Sequence, residues 1–154
     1  MGFFDKLKQM KNFVTGGGAT VGVEFGGEPR MGASVPVTVH VKVEDAPITP
    51  ARIYVIVQGQ ETVELVHTDH EHGHMDRDHV RRVTTTFHEE ITIQDGPLQL
   101  AANSQHAFEG EIQIPEQCES TYHGNHARHV WMISGGVDVP GNDPDSGWVT
   151  FDLY

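Results

Sequence analysis

An all-β antiparallel sandwich preceded by a short amphipathic helix is the fold this sequence predicts, on three observations. Apolar residues alternate with polar ones from about Thr20 to Leu153, the two-residue period of a half-buried strand. Turn-forming clusters punctuate these runs at Gly26-Gly27-Glu28-Pro29, Asp45-Ala46-Pro47, Gly96-Pro97 and Pro140-Gly141-Asn142-Asp143-Pro144, as in sandwiches and barrels. Helical spacing is confined to the first residues, where Phe3, Phe4, Leu7, Met10 and Val14 share one face.

The predicted organisation is a helix over residues 1–14, a glycine linker over 15–19 and one sandwich domain over 20–154. Lys6, Lys8 and Lys11, set against Asp5, make the first segment locally basic. The run Thr15-Gly16-Gly17-Gly18 ends it, because glycine opens backbone conformations that a helix does not use. Thr20 to Phe25 opens the strand set. Ser34 to Val43 is the clearest member: Val35, Val37, Val39, Val41 and Val43 line one face, with mainly polar residues on the other. Ala51 to Val66 carries Ile53, Val55 and Val57 on one face and Tyr54 and Ile56 on the other, which places it centrally in a sheet. Threonine-rich Val83 to Ile93 follows. Phe108 to Ile114 is stopped by Pro115, and Val130–Val139 and Trp148–Leu153 complete a sandwich of seven or eight strands.

Composition narrows the function classes. The balance of 10 basic against 22 acidic residues, a net charge of −12, argues against nucleic acid, whose phosphates require a basic stripe. No stretch reaches the ~20 apolar residues of a membrane-spanning helix. The lone Cys118 forms no internal disulfide framework and fits a reducing compartment, so a cytoplasmic location is expected. Contact with a membrane is expected to be at most peripheral, through residues 3–14, where lysines favour an anionic surface and the acidic body opposes it.

The order of these segments resembles the N-terminal domain of the arrestin superfamily, including bacterial sporulation-control proteins and the arrestin-fold subunit of retromer. Met1-Gly2-Phe3-Phe4 with Lys6 and Leu7 looks like the opening of the sporulation-control group. Gly32-Ala33-Ser34-Val35 and Ala46-Pro47-Ile48 resemble the glycine turn and connecting loop around the valine strand, and Ile53 through Gly59 and Glu61 the strand after it. Leu98, His106, Phe108 and Ile114-Pro115 are similar to a strand ending at an apolar–proline pair. Ser120-Thr121-Tyr122-His123-Gly124 before Val130-Trp131 resembles the turn that precedes an aromatic strand. The resemblance implies an immunoglobulin-type antiparallel sandwich and a protein-binding role. The chain reaches Tyr154 about where the first of two arrestin sandwiches finishes, so a second lobe and an inter-lobe polar core are not expected within it. A proline-proline-x-tyrosine motif is absent, which leaves a ubiquitin-ligase adaptor role unsupported.

The most conspicuous local feature is the run from His67 to His79, with His67, His70, His72, His74 and His79 interleaved with Asp69, Glu71, Asp76 and Asp78. Such nitrogen and oxygen donors suit zinc, nickel or copper. On an extended backbone the alternating His70, His72 and His74 would share one side. The competing reading is a solvated hairpin between two long strands that picks up zinc or nickel adventitiously, with no physiological cofactor. The same run would gain charge on acidification. His123, His126 and His129 recur every three residues, a spacing that need not converge around a turn. Cys118 lies between Glu116 and Glu119, which disfavour a reactive thiolate. Gly16-Gly17-Gly18 lacks the lysine of a phosphate loop, no glycine-x-serine-x-glycine elbow occurs, and Glu89 and Glu90 point to opposite faces of a strand.

The sequence therefore predicts no active site. The expected role is a non-catalytic adaptor or scaffold, with Phe3, Phe4, Leu7, Met10 and Val14 as the candidate partner-binding residues. The partners expected are proteins, a second copy of the chain included. Its rivals are a structural protein that assembles through the N-terminal arm and a metal- or pH-responsive module built on the histidine run.

Overall fold

The computed structural model describes residues 14–16, 18–71 and 73–154. Phe3, Phe4, Leu7, Met10 and His72 lie outside the described residues, as does the expected helix up to residue 13. The elements are β1 (Val14–Gly16), β2 (Ala19–Phe25), β3 (Ser34–Val43), β4 (Arg52–Glu71), β5 (His74–Asp95), β6 (Gln105–Gln113), β7 (Tyr122–His123), β8 (Ala127–Asp138) and β9 (Val149–Phe151). Among the described residues there is no helix. One sheet has the order β1-β2-β3-β6 and the other β5-β4-β8-β7, with β9 also paired to β8. All pairings are antiparallel.

Strict alternation makes β3 the spine of the first sheet. Val35, Val37, Val39, Val41 and Val43 are all buried, while the residues between them face outward. Opposite them stand Ile53, Val55 and Val57 of β4 and Trp131, Ile133 and Val137 of β8. Each fully buried aliphatic side chain contributes about 1.5–3 kcal/mol, so this alternation is enough to fix which face turns inward. The layers meet closely at Gly135, where an added Cβ would sit 3.3 Å from both Val23 and Val39. The end of the chain is stitched in: Thr121 donates its N–H to the Leu153 carbonyl (2.7 Å), Leu153 donates its own to Thr121 Oγ1 (2.9 Å), and Leu153 is buried.

Two segments differ from the sequence reading. Val14–Gly16, expected as the end of a helix and the start of a linker, pairs with β2 in the register Val14↔Val21 to Gly16↔Ala19. The segment turns back at Gly18, whose φ of +89° suits glycine. The stretch 67–79, expected as a solvated hairpin between strands ending at Val66 and starting at Val83, is itself paired as far as Glu71↔His74. Backbone pairing to a neighbouring strand overrides the weak strand propensity of histidine and aspartate there. Gly73, at φ +76°, supplies the left-handed conformation that a tight hairpin turn requires.

Candidate interaction surface

β4 is far longer than the partner on its other side. Its pairing with β8 ends at Val63↔Ala127, whereas its pairing with β5 runs on to Glu71↔His74. Beyond Glu64 the hairpin therefore leaves the sandwich as a two-stranded ribbon, about 20 Å long at ~3.3 Å per residue. Glu64 marks its base, with Arg81 Nε at 3.4 Å and Arg128 Nη1 at 3.6 Å. The ribbon presents apolar side chains to solvent: Leu65 is 55%, Val66 57% and Val80 55% exposed. Leu65 pairs directly with Val80 and so shares a face with it, while Val66 pairs with His79 on the other. Both faces thus carry uncovered aliphatic surface, in a two-stranded element that is only marginally stable on its own.

The register also changes the reading of the histidine run. His70 pairs with Met75 and Glu71 with His74, which puts His70 and His74 at positions of opposite parity on either side of the turn. His67 pairs with Asp78. The single extended segment that would have aligned His70 with His74 is broken by that turn. Among the described residues no group of three histidine, cysteine or acidic residues is placed to hold a metal ion.

At the end of the sandwich from which the ribbon emerges lies the most polar part of the interior. His129 is fully buried, and its Nε2 is 2.7 Å from Thr86 Oγ1. Its ring stacks on Tyr122 at 6.1 Å and meets Trp131 edge-on at 5.7 Å. Tyr122 donates its hydroxyl to Glu61. Beside them an open depression of about 380 Å³ is lined by Thr86, Phe87, Gln117, Cys118, Glu119 and Trp131. Burial, and then Glu119, push the Cys118 thiol above its ordinary value, so it stays protonated. His123 and His126 are exposed and do not converge with His129. Glu89 pairs with Val57 and Glu90 with Ile56, on opposite faces as expected.

Burial lowers the pKa of His129, against smaller upward pulls from Glu119, Glu61 and the Ser120 backbone. The fold therefore holds the imidazole neutral. The unfolded chain takes up a proton near pH ~6.5 while the native one does not, so stability present above that value is lost as pH falls toward the folded-state pKa. Thermal unfolding at a series of pH values should show this fall, and a His129→Gln chain should show a shallower one. Parallel slopes in the two chains would contradict it.

A second polar cluster lies on the outer face of the β4 sheet. Arg52 stacks over the Tyr54 ring (4.6 Å), bonds Glu90 and reaches Asp138 Oδ2 at 3.3 Å. Tyr54 donates to Asp143 Oδ2 (2.8 Å), and Asp143 Oδ1 accepts the Val139 N–H (3.2 Å). The ring lies on Gly136, where an added Cβ would meet Tyr54 Cζ at 2.4 Å. Burial, followed by the bond to Asp143, pushes the Tyr54 hydroxyl far above its ordinary value. The cluster clamps the 139–147 loop to the sheet and offers no open coordination position. It was not foreseen from sequence; Tyr54 facing outward from a central strand was its one signal.

These features define an antiparallel β-sandwich with an extended β4–β5 hairpin. No family model matches the chain, and no curated protein matches it. A solved structure that it resembles is that of the sporulation control protein Spo0M from Bacillus subtilis, with a TM-score of 0.60 and 16% identity over 89% of this chain. The match covers 49% of that protein, so the chain spans about half its length. At that identity the likeness shows the fold.

Proposed function

We propose that this chain is a non-catalytic, protein-binding adaptor or scaffold of arrestin-like fold, acting in the cytoplasm in a regulatory role like the one the name of Spo0M states for that protein. The observation that carries the reading is the β4–β5 ribbon, which leaves the sandwich with Leu65 and Val66 more than half exposed on its two faces. Exposed aliphatic surface on a marginal element is stabilised when a partner covers it. The lone protonated Cys118 and the committed His129 support a role without catalysis.

The test is affinity capture from the source cell with the native chain and with a Leu65→Ser/Val66→Ser chain. Because both side chains lie in solvent, the variant should keep its melting temperature. It should lose its captured partner by about tenfold or more, the loss expected when an interface's central apolar anchors are removed. Equal capture by the two chains would show that the ribbon is not the binding element.

A further inference from the structure

Among the described residues the outer edge of β5 has no neighbour in its sheet: β5 pairs with β4 on one side and ends the sheet on the other. Such an edge is a template for another strand, which charges, bulges, a proline or a short length ordinarily restrict to chosen partners. β5 is 22 residues long, and its middle reads Arg81-Arg82-Val83-Thr84-Thr85-Thr86-Phe87-His88-Glu89-Glu90, two cations and two anions in mirror order about three threonines.

We propose that this edge pairs antiparallel with the same edge of a second copy of the chain, about a two-fold axis at Thr85, with Thr86 bulged out of the register. The pairing is isologous, so whatever residue i meets on its partner, the partner's residue meets on i. Centred there, Arg82 faces the other copy's Glu89, Arg81 faces its Glu90 and Val80 faces its Ile91.

Face parity tests the register independently of charge. In a continuous sheet, directly opposed residues must point to the same side. Arg82 and Glu89 are separated by an odd number of positions, which in a regular strand would set them on opposite sides. β5 is not regular. Its register against β4 slips between Gly59 and Gln60, because Gly59 pairs with Phe87 and Gln60 with Thr85, leaving Thr86 as an extra residue. This bulge inverts the alternation. Arg82 pairs with Val63 and Glu89 with Val57, two β4 positions of the same parity. Arg81 pairs with Glu64 and Glu90 with Ile56, and Val80 with Leu65 and Ile91 with Val55, which agree in the same way. Every opposed pair therefore lies on one face, and the bulge is what makes the charge mirror and the pleat coincide. Val80, 55% exposed, would be covered by the half-buried Ile91 of the other copy.

The edge is distinct from the ribbon's Leu65 and Val66, which belong to the inner strand β4, and the proposal stands whether or not that surface binds a partner. Arg82 and Glu89 make no ion pair within the chain among the described residues, and both are exposed, so reversing either leaves the sandwich intact. Sedimentation of the full chain over a concentration series should show a monomer–dimer equilibrium. Arg82→Glu and Glu89→Arg should each weaken it by about tenfold or more, since each places like charges opposite one another twice across the axis. Mixing the two variants in equal amounts should restore a heterodimer, because both opposed pairs are then of opposite sign. A native chain that stays monomeric, a dimer that survives either reversal, or variants that do not rescue each other when mixed would each overturn the proposal.

Discussion

Replacing Trp131 by alanine should cost about 3–5 kcal/mol of folding stability, the range for truncating a buried aromatic residue. Trp131 has no solvent exposure and sits where the two sheets and the C-terminal strand converge. Its ring lies 5.4 Å from Phe87 of β5 and 6.2 Å from Phe151 of β9, with His129 edge-on. Its Nε1–H donates to the Glu119 carbonyl at 2.8 Å, which holds the 115–121 segment over the end of the sandwich. Alanine would leave a cavity among groups already fixed by their own strands, and an unpaired carbonyl above it. In a chain of this size each kcal/mol lowers Tm by roughly 2–4 °C, so a fall of about 10 °C is expected. Trp131→Phe keeps most of the packing and loses the hydrogen bond, and should cost about 1–2 kcal/mol. An alanine variant that melts with the native chain would mean the sheets do not pack on this residue.

How much of this architecture could be read from the chain depends on how local the determining physics is. The bounds of β3 follow from five valines at alternate positions, a pattern that needs no knowledge of neighbours. The central position of β4 was legible too, because Tyr54 and Ile56 are apolar on the face away from the core, and β4 does lie between β5 and β8. The ribbon was legible as a hairpin between two long strands, but not in the length of its pairing. Residues 67–79 have a loop's composition, and only their pairing with one another keeps them extended; the sequence signal was Gly73 at a two-residue turn. Val14–Gly16 is a strand for the same reason, held by β2 and not by its own propensity. Fewer elements were expected than the nine strands described, the shortest being β7, whose two residues carry no periodicity.

The proposed interaction surface was hidden more deeply. Which strand ends a sheet is a property of topology, so nothing in Arg81-Arg82 or Glu89-Glu90 alone marks β5 as an edge. His129 offers the contrary case. It precedes Trp131 and Ile133 at alternate positions, and that parity is what places it in the core, apart from His123 and His126. The spacing of three that links these histidines in sequence has no meaning across a strand entry.

The largest functional effect should come from removing the ribbon itself. Leu65 and Val80 are directly opposed, so residues 66–79 can be replaced by an Asn-Gly turn that closes the hairpin at that pair. The sandwich should tolerate this, because the pairing of β4 with β8 ends before the excised part and none of the excised residues whose burial is described belongs to the buried core. Tm should stay within a few degrees of the native value, with roughly 2–4 °C corresponding to 1 kcal/mol.

Affinity capture with this shortened chain, alongside the native one, is the most direct measurement of whether the proposed binding function resides on the ribbon. A folded, shortened chain that retrieves none of the native chain's partners is the predicted result. A folded, shortened chain that retrieves them undiminished would contradict it and move the function to another surface of the sandwich.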